Sequence, residues 1–359
     1  MKIAQICHRF YPHFGGIETH VQAISEELAR RSHDVTVVTT DPTGRLPKKS
    51  SIKGIKVVRH KSFAPGGAYY FSPSLILYLL EKKFDVTHAH GYHSLIPLQT
   101  TLANRNGRLI LTTHFKGSSH SSFRRKLLLL YRPLMSMLMG KAEVIVCDSE
   151  TEMENLKSLF PNIKSKFRVI PLGVDLDQLR ILQRSERRRN VILCVSRLER
   201  YKGVQYLIKC LEYLPSDFCL RIVGKGSYGE ELRKMASRLR VKDRVVFREN
   251  ISRKELLWEY ANAGIFVLLS KYEAFGVSVA EALASGLPCI VADSRALSEW
   301  IRYEGCEGIK YPINIQELAL RIQNMSGNIC ERNSIFSWKE VVDNLEQIYE
   351  TVYTHGRSL

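Results

Sequence analysis

Two glutamates eight positions apart, Glu273 and Glu281, lie in the segment Ser270–Pro288, directly after the apolar run Gly264–Leu269. Glu273 falls in a loop entering a helix and Glu281 falls inside it, with Gly286 and Pro288 as the stop. If the stretch is helical throughout, eight residues at about 1.5 Å each span roughly 12 Å, the distance from a hexose ring across a diphosphate to a ribose. One carboxylate can then grip each end of a nucleotide sugar. Upstream, Ser196-Arg197-Leu198-Glu199-Arg200-Tyr201-Lys202-Gly203 places Arg197 and Lys202 between a strand-like run and a helix. Two cations there can hold a diphosphate and neutralise the charge on a departing phosphate; the plainer reading is a pair of surface cations. Near the start, Gly15 and Gly16 sit in a strand-to-helix turn that lets backbone N–H groups approach an anion. That pair lacks the spaced G-x-G-x-x-G pattern, and tight packing alone accounts for it equally well.

These residues need strands and helices to position them, and the chain alternates the two. Short apolar runs at 2–7, 34–40, 85–89, 108–113, 143–147 and 167–170 are interleaved with helical periodicity near 18–31, 72–82, 93–105, 122–141 and 149–160. A second series of runs occupies 190–196, 218–223, 244–248, 264–269 and 288–292. The expected class is α/β, with two Rossmann-like parallel-sheet domains facing a cleft, residues 1–175 and 176–339. The hinge falls at Pro171-Leu172-Gly173-Val174-Asp175 and the solvated run Ser185-Glu186-Arg187-Arg188-Arg189. A last helix, within about 340–359, carries Val341, Val342, Leu345, Ile348 and Tyr349 on one face and is expected to pack back on the first domain.

The 359 residues carry 53 Lys and Arg against 36 Asp and Glu, a net charge of +17, of which residues 1–175 hold 25 − 13 = +12. Such a field suits phosphates, anionic membranes or nucleic acid. No recognition helix, stacking-aromatic strand motif or zinc knuckle supports the last, so no nucleic-acid partner is expected. Eight scattered cysteines without a C-x-x-C spacing read as reduced thiols, and the opening strand lacks the form of a secretory leader. A cytoplasmic protein is expected. The cationic, leucine-rich segment 123–135 reads either as a helix on an anionic bilayer, which would make the protein peripheral on the inner face, or as a core helix with a basic end. His88 and His90 alternate on one strand with His93 nearby, but no acid or thiol ligand stands close in sequence, so no metal site is expected.

Together, Glu273-x7-Glu281, Arg197, Lys202 and the Gly15-Gly16 turn resemble the retaining glycosyltransferases of family four, which have the GT-B fold. The match runs over nearly the whole chain, through Asp85-Val86-Thr87-His88-Ala89-His90, Thr112-Thr113-His114, Pro171-Leu172-Gly173-Val174-Asp175 and Val223-Gly224-Lys225-Gly226 in order. The resemblance implies that Glu273 bonds the donor sugar hydroxyls, Glu281 the ribose, and Arg197 with Lys202 the diphosphate, while His114 sits near the transferred sugar. It also implies donor contacts at Gly15, Gly16, Gly224, Phe275, Gly276 and Val277. The implied activity is retaining transfer of a hexose-type sugar from a nucleotide-diphosphate sugar to a glycan, lipid-linked or small-molecule acceptor bound by the first domain. No cofactor and no essential metal are implied. Asp175-Leu176-Asp177 therefore reads as part of the domain junction rather than as a D-x-D metal motif. Ser294-Arg295-Ala296-Leu297-Ser298-Glu299-Trp300 departs from the family's glycine-containing turn, which leaves the donor contacts of that loop, Glu299 included, unassigned. A nucleotide-sugar epimerase of the same architecture and a nucleic-acid-binding protein stand as the alternatives.

Overall fold

The computed structural model describes all residues except 14, 68, 105–107, 116–121, 182–188, 329, 331–334 and 356–359. The chain divides into two compact units, Met1–Gly173 with Trp338–Leu359, and Val174–Ser337.

The first unit contains β1 (Lys2–Ile6), α1 (Gly16–Arg30), β2 (Asp34–Asp41), β3 (Lys49–Ile52), β4 (Ile55–Lys61), α2 (Pro73–Glu81) and β5 (Val86–His90). It continues through α3 (Ile96–Ala103), β6 (Leu109–Thr112), α4 (Ser122–Lys141), β7 (Val144–Cys147), α5 (Glu150–Leu159) and β8 (Phe167–Val169). The strands form one sheet in the order β3-β4-β2-β1-β5-β6-β7-β8. The β1, β2 and β5–β7 strands are buried almost throughout, as a parallel sheet covered on both faces requires.

The β3–β4 hairpin departs from the expected pattern. It pairs antiparallel and turns at Lys53 and Gly54, both with positive φ. The edge strand β3 alternates exposed with half-buried positions, and β4 beside it alternates buried with exposed or half-buried ones, so neither presents a continuous apolar run.

The second unit holds α6 (Leu176–Ile181), β9 (Val191–Val195), α7 (Val204–Cys210), β10 (Cys219–Val223), α8 (Gly229–Arg238), β11 (Val245–Arg248) and α9 (Arg253–Asn262). Then follow β12 (Ile265–Leu268), α10 (Val277–Ala284), β13 (Cys289–Ala292), β14 (Cys306–Ile309) and α11 (Ile315–Met325). Its six strands are parallel, in the order β11-β10-β9-β12-β13-β14. The edge strand β14, Cys-Glu-Gly-Ile, is too short and polar to have been read from periodicity.

Helix α12 (Trp338–His355) returns the chain to the first unit. It buries Val341, Val342, Leu345 and Tyr349. Arg31 bonds Asp343 at 2.6 Å and also pairs with Glu346, and His33 meets Glu346 at 2.7 Å. The two ends of the second unit are held together: Val174 bridges Ser337, and its N–H donates to the Phe336 carbonyl at 2.9 Å. One residue before, Gly173 lies so close to Trp338 that a Cβ would stand 2.8 Å from its backbone nitrogen.

Candidate active site

In each sheet the chain passes from one side of its first strand to the other, between β1 and β5 and between β9 and β12. Loops at the carboxyl ends of such strands are where open α/β sheets place ligands. The expected site residues fall on those loops or on the helices they lead into, in two groups that belong to separate units.

In the second unit Lys202 ends a 3-10 turn after β9, and Glu273 lies in the loop after β12. Their side chains form an ion pair, only 8% and 10% exposed. Gly203 makes this possible: at φ 77° it approaches Leu269 so closely that a Cβ would stand 2.2 Å from that carbonyl oxygen. Arg197 is exposed, and its guanidinium donates to the Tyr201 hydroxyl at 2.8 Å. Gly224 serves the same loop by close approach, since a Cβ there would meet the Ser196 oxygen at 2.0 Å. The Leu198 N–H donates to the Lys225 carbonyl at 3.0 Å, tying the two loops together.

Helix α10 begins only at Val277, so Glu273 and Glu281 are not on one continuous helix and the 12 Å helical span does not apply. Phe275 and Gly276 are buried, while Val277 is partly exposed. Trp300 braces this turn: its indole N–H donates to the Phe275 carbonyl at 2.7 Å, and the two rings meet edge-on at 4.9 Å. Trp300 lies in a 3-10 run, Arg295–Arg302, which is what the divergent segment after Asp293 forms. Glu281 is gripped from α9, by Arg253 at 2.5 Å and by the Tyr260 hydroxyl at 2.9 Å. Neither partner was expected from the sequence; the only local signal was the Ser252–Glu255 capping box that starts α9.

In the first unit Gly15 is extended and Gly16 opens α1. A Cβ at Gly15 would meet the Glu18 carboxylate at 2.4 Å, whereas one at Gly16 would meet nothing within 4 Å. Glu18 is buried beside Arg9 at 3.1 Å. His114 follows β6 with φ 48°, a conformation held by its neighbours. Glu152 accepts from the Thr113 hydroxyl, the Phe115 N–H and, at 2.6 Å, the Asp148 N–H. Burial, with Asp148 nearby, pushes the Glu152 carboxyl well above its usual range. The His114 Nδ1–H donates to Asp148 at 2.8 Å.

His88 and His90 do share a face, with ring centroids 4.2 Å apart. Their neighbours are His20 from α1 and His114, while His93 packs instead against Tyr92 and Phe115. Burial holds His20, His88 and His90 well below the usual imidazole range, and the adjacent imidazoles add to the effect.

Helix α4 covers the basic leucine-rich segment, but the side chains of 122–131 lie outside the described residues, as does the run 182–188. Within α4, Leu134 and Met137 are 43% and 40% exposed. Among the described residues, no helix is long and apolar enough to cross a membrane.

Two α/β units, each built on a largely parallel sheet, are the GT-B architecture. Over 99% of this chain and 100% of the other, the fold superposes on sucrose-phosphate synthase from Thermosynechococcus elongatus with a TM-score of 0.77 at 19% identity. Two family models tile the sequence, Glycosyltransferase Family 4 over residues 14–178 and Glycosyl transferases group 1 over residues 177–335. The chain belongs to this glycosyltransferase family. It is 24% identical to an uncharacterized glycosyltransferase of Methanocaldococcus jannaschii across 98% of both chains. It is 28% identical to a GDP-mannose-dependent alpha-(1-6)-phosphatidylinositol monomannoside mannosyltransferase of Mycolicibacterium smegmatis, across 82% of this chain and 81% of that one.

Proposed function

We propose that this glycosyltransferase moves a hexose-type sugar from a nucleotide-diphosphate donor to a glycan or lipid-linked acceptor, with retention at the anomeric carbon and without an essential metal ion. The observation that carries the reading is the enclosed Lys202–Glu273 pair where the second sheet passes from one side of β9 to the other. A cation and a carboxylate held side by side match a donor whose diphosphate adjoins a polyhydroxylated ring. Lys202 and the exposed Arg197 neutralise the leaving diphosphate, which is where charge develops as the glycosidic bond breaks. Glu273 accepts from the sugar hydroxyls. Glu281, fixed by Arg253 and Tyr260, keeps acceptor capacity for the ribose hydroxyls, because an ionised carboxylate offers about four lone-pair sites. His114 is assigned to the transferred sugar, and the basic first unit to the acceptor.

The mannosyltransferase relative names GDP-mannose and a phosphatidylinositol glycoside, which makes a GDP-hexose donor and a lipid-borne acceptor the first pair to assay. The exposed Leu134 and Met137 of α4 support contact with a bilayer, and the net positive charge of the chain favours an anionic one. Binding to vesicles that ignores anionic lipid and salt would remove that part of the reading.

The test of the activity is product formation from a panel of nucleotide sugars, with the anomeric configuration read by NMR. Retention, indifference to chelators, and a loss of about 100-fold or more in Glu273→Ala are expected. Lys202→Ala should raise the donor KM and lower kcat together. Inverted product, dependence on added metal, or wild-type turnover in Glu273→Ala would refute the corresponding part. Donor conversion without acceptor would indicate an epimerase instead.

A further inference from the structure

Three histidines from three elements converge in the first unit: His20 from α1, His90 from the end of β5 and His114 after β6. One nitrogen of each lies within 4.8 Å of the others. The residues are 4%, 0% and 7% exposed. Among the described residues, neither ring nitrogen of His20 has a hydrogen-bond partner, and neither does Nδ1 of His90. An unpaired buried polar atom is costly, so a fold that gathers several in one place invites a ligand.

The surroundings select the protonation state such a ligand needs. The Oε1 of Gln5 can only accept, so the His90 Nε2 at 2.8 Å carries the proton and Nδ1 keeps its lone pair. In this orientation the Gln5 amide nitrogen donates to the Tyr349 hydroxyl at 3.0 Å. Asp148 accepts from the Nδ1–H of His114 at 2.8 Å, which places the lone pair on Nε2. A carboxylate or amide oxygen behind an imidazole is the usual arrangement around a metal-bound histidine.

We propose that His20, His90 and His114 form a binding site for a borderline-soft divalent cation of the Zn2+ class, with three imidazole nitrogens and an open fourth position. Nitrogens bound at about 2.1 Å to one tetrahedral ion lie roughly 3.4 Å apart. From a limit of 4.8 Å the rings therefore close by at most about 1.4 Å. Binding stands independently of the transferase reading. Its consequence rests on that reading: an ion on Nε2 withdraws His114 from the sugar, so it inhibits transfer.

The probe is Co2+ added to the untagged, chelator-treated full chain. One equivalent should develop the visible absorption of nitrogen-ligated Co2+, and Zn2+ should bleach it and raise the melting temperature. His20→Gln and His90→Gln should each lose the one-equivalent band, Asp148→Asn should weaken binding about 10- to 100-fold, and His60→Gln on β4 should leave it intact. A wild-type chain with neither band nor Zn2+-dependent melting overturns the site, as does an undiminished band in His20→Gln. Should a histidine variant not fold, X-ray absorption of the wild-type Co2+ complex decides, and fewer than three imidazole ligands overturns the proposal. Stoichiometric binding with undiminished turnover supports the site and overturns the role assigned to His114.

Discussion

The Tyr349 hydroxyl, in the last helix, stands 2.7 Å from Nδ1 of His88, in the fifth strand, although 261 residues separate them. The same hydroxyl accepts from Gln5, and the far nitrogen of His88 meets the Thr112 hydroxyl at 2.7 Å. One buried line of hydrogen bonds thus crosses β1, β5 and β6 and ends on α12. Tyr349→Phe deletes one oxygen and strands two buried partners, so it should cost about 1–3 kcal/mol. Urea unfolding measures this directly, and a midpoint equal to that of the wild type would contradict the geometry.

Glu152 serves three donors around the His114 turn. Glu152→Ala leaves all three without their acceptor, for an expected loss of about 3 kcal/mol or more. The exposed neighbour on the same helix, Glu154→Ala, should stay within about 0.5 kcal/mol. Equal melting curves for the two variants would show that Glu152 is not the anchor of that turn.

Gly203→Ala tests the close approach to Leu269. The added methyl collides with a backbone oxygen at a left-handed residue, which costs of order 1–3 kcal/mol for the conformation alone. The adjoining Lys202 should shift with it. A lowered melting temperature and weaker affinity for a nucleoside diphosphate in calorimetry are both expected; a variant unchanged in both would show that the loop has room to spare.

Stability should fall with acid. Burial lowers the His8 imidazole to about 4, against the pull of Glu18 and with Arg9, His114 and His13 adding to the fall. The folded chain therefore refuses a proton that the unfolded chain accepts below its ordinary value near 6.5. The contribution is complete above about 6.5 and drains away as pH falls toward 4, at up to about 1.4 kcal/mol per pH unit. His8→Gln should reduce the slope of the stability profile across that window, to which the buried His20, His88 and His90 also contribute. A variant profile as steep as that of the wild type would remove His8 from the account.

Residues governed by near neighbours were legible in the sequence. The helical periodicity near 18–31 became α1, with Val21, Ile24 and Leu28 buried, and the strand-like runs at 2–7, 34–40 and 85–89 became β1, β2 and β5. Glu273 and Glu281 fell in loop and helix because glycine and proline mark those boundaries locally. Their partners were not legible in the same way. Arg253, Tyr260 and Trp300 act through contacts made only once the sheet brings distant loops together. His20 illustrates the same limit, since in a linear reading it is one more polar residue on an amphipathic helix. Only its approach to His90 and His114 at the ends of two strands distinguishes it.

The interruption of the first unit by the second sets an order of assembly. During synthesis, β1 to β8 emerge well before α12, so their sheet lacks its covering helix and the Tyr349 anchor until translation has passed Ser337. Recruiting α12 across a floppy insertion of roughly 160 residues would cost on the order of 4–5 kcal/mol in chain entropy. The Val174–Ser337 bridge lifts that burden, since a matured second unit hands Trp338 back beside Gly173. The inserted sheet thus acts as a clasp, and mutations that slow its maturation should leave the amino-terminal half vulnerable to proteases on newly made chains.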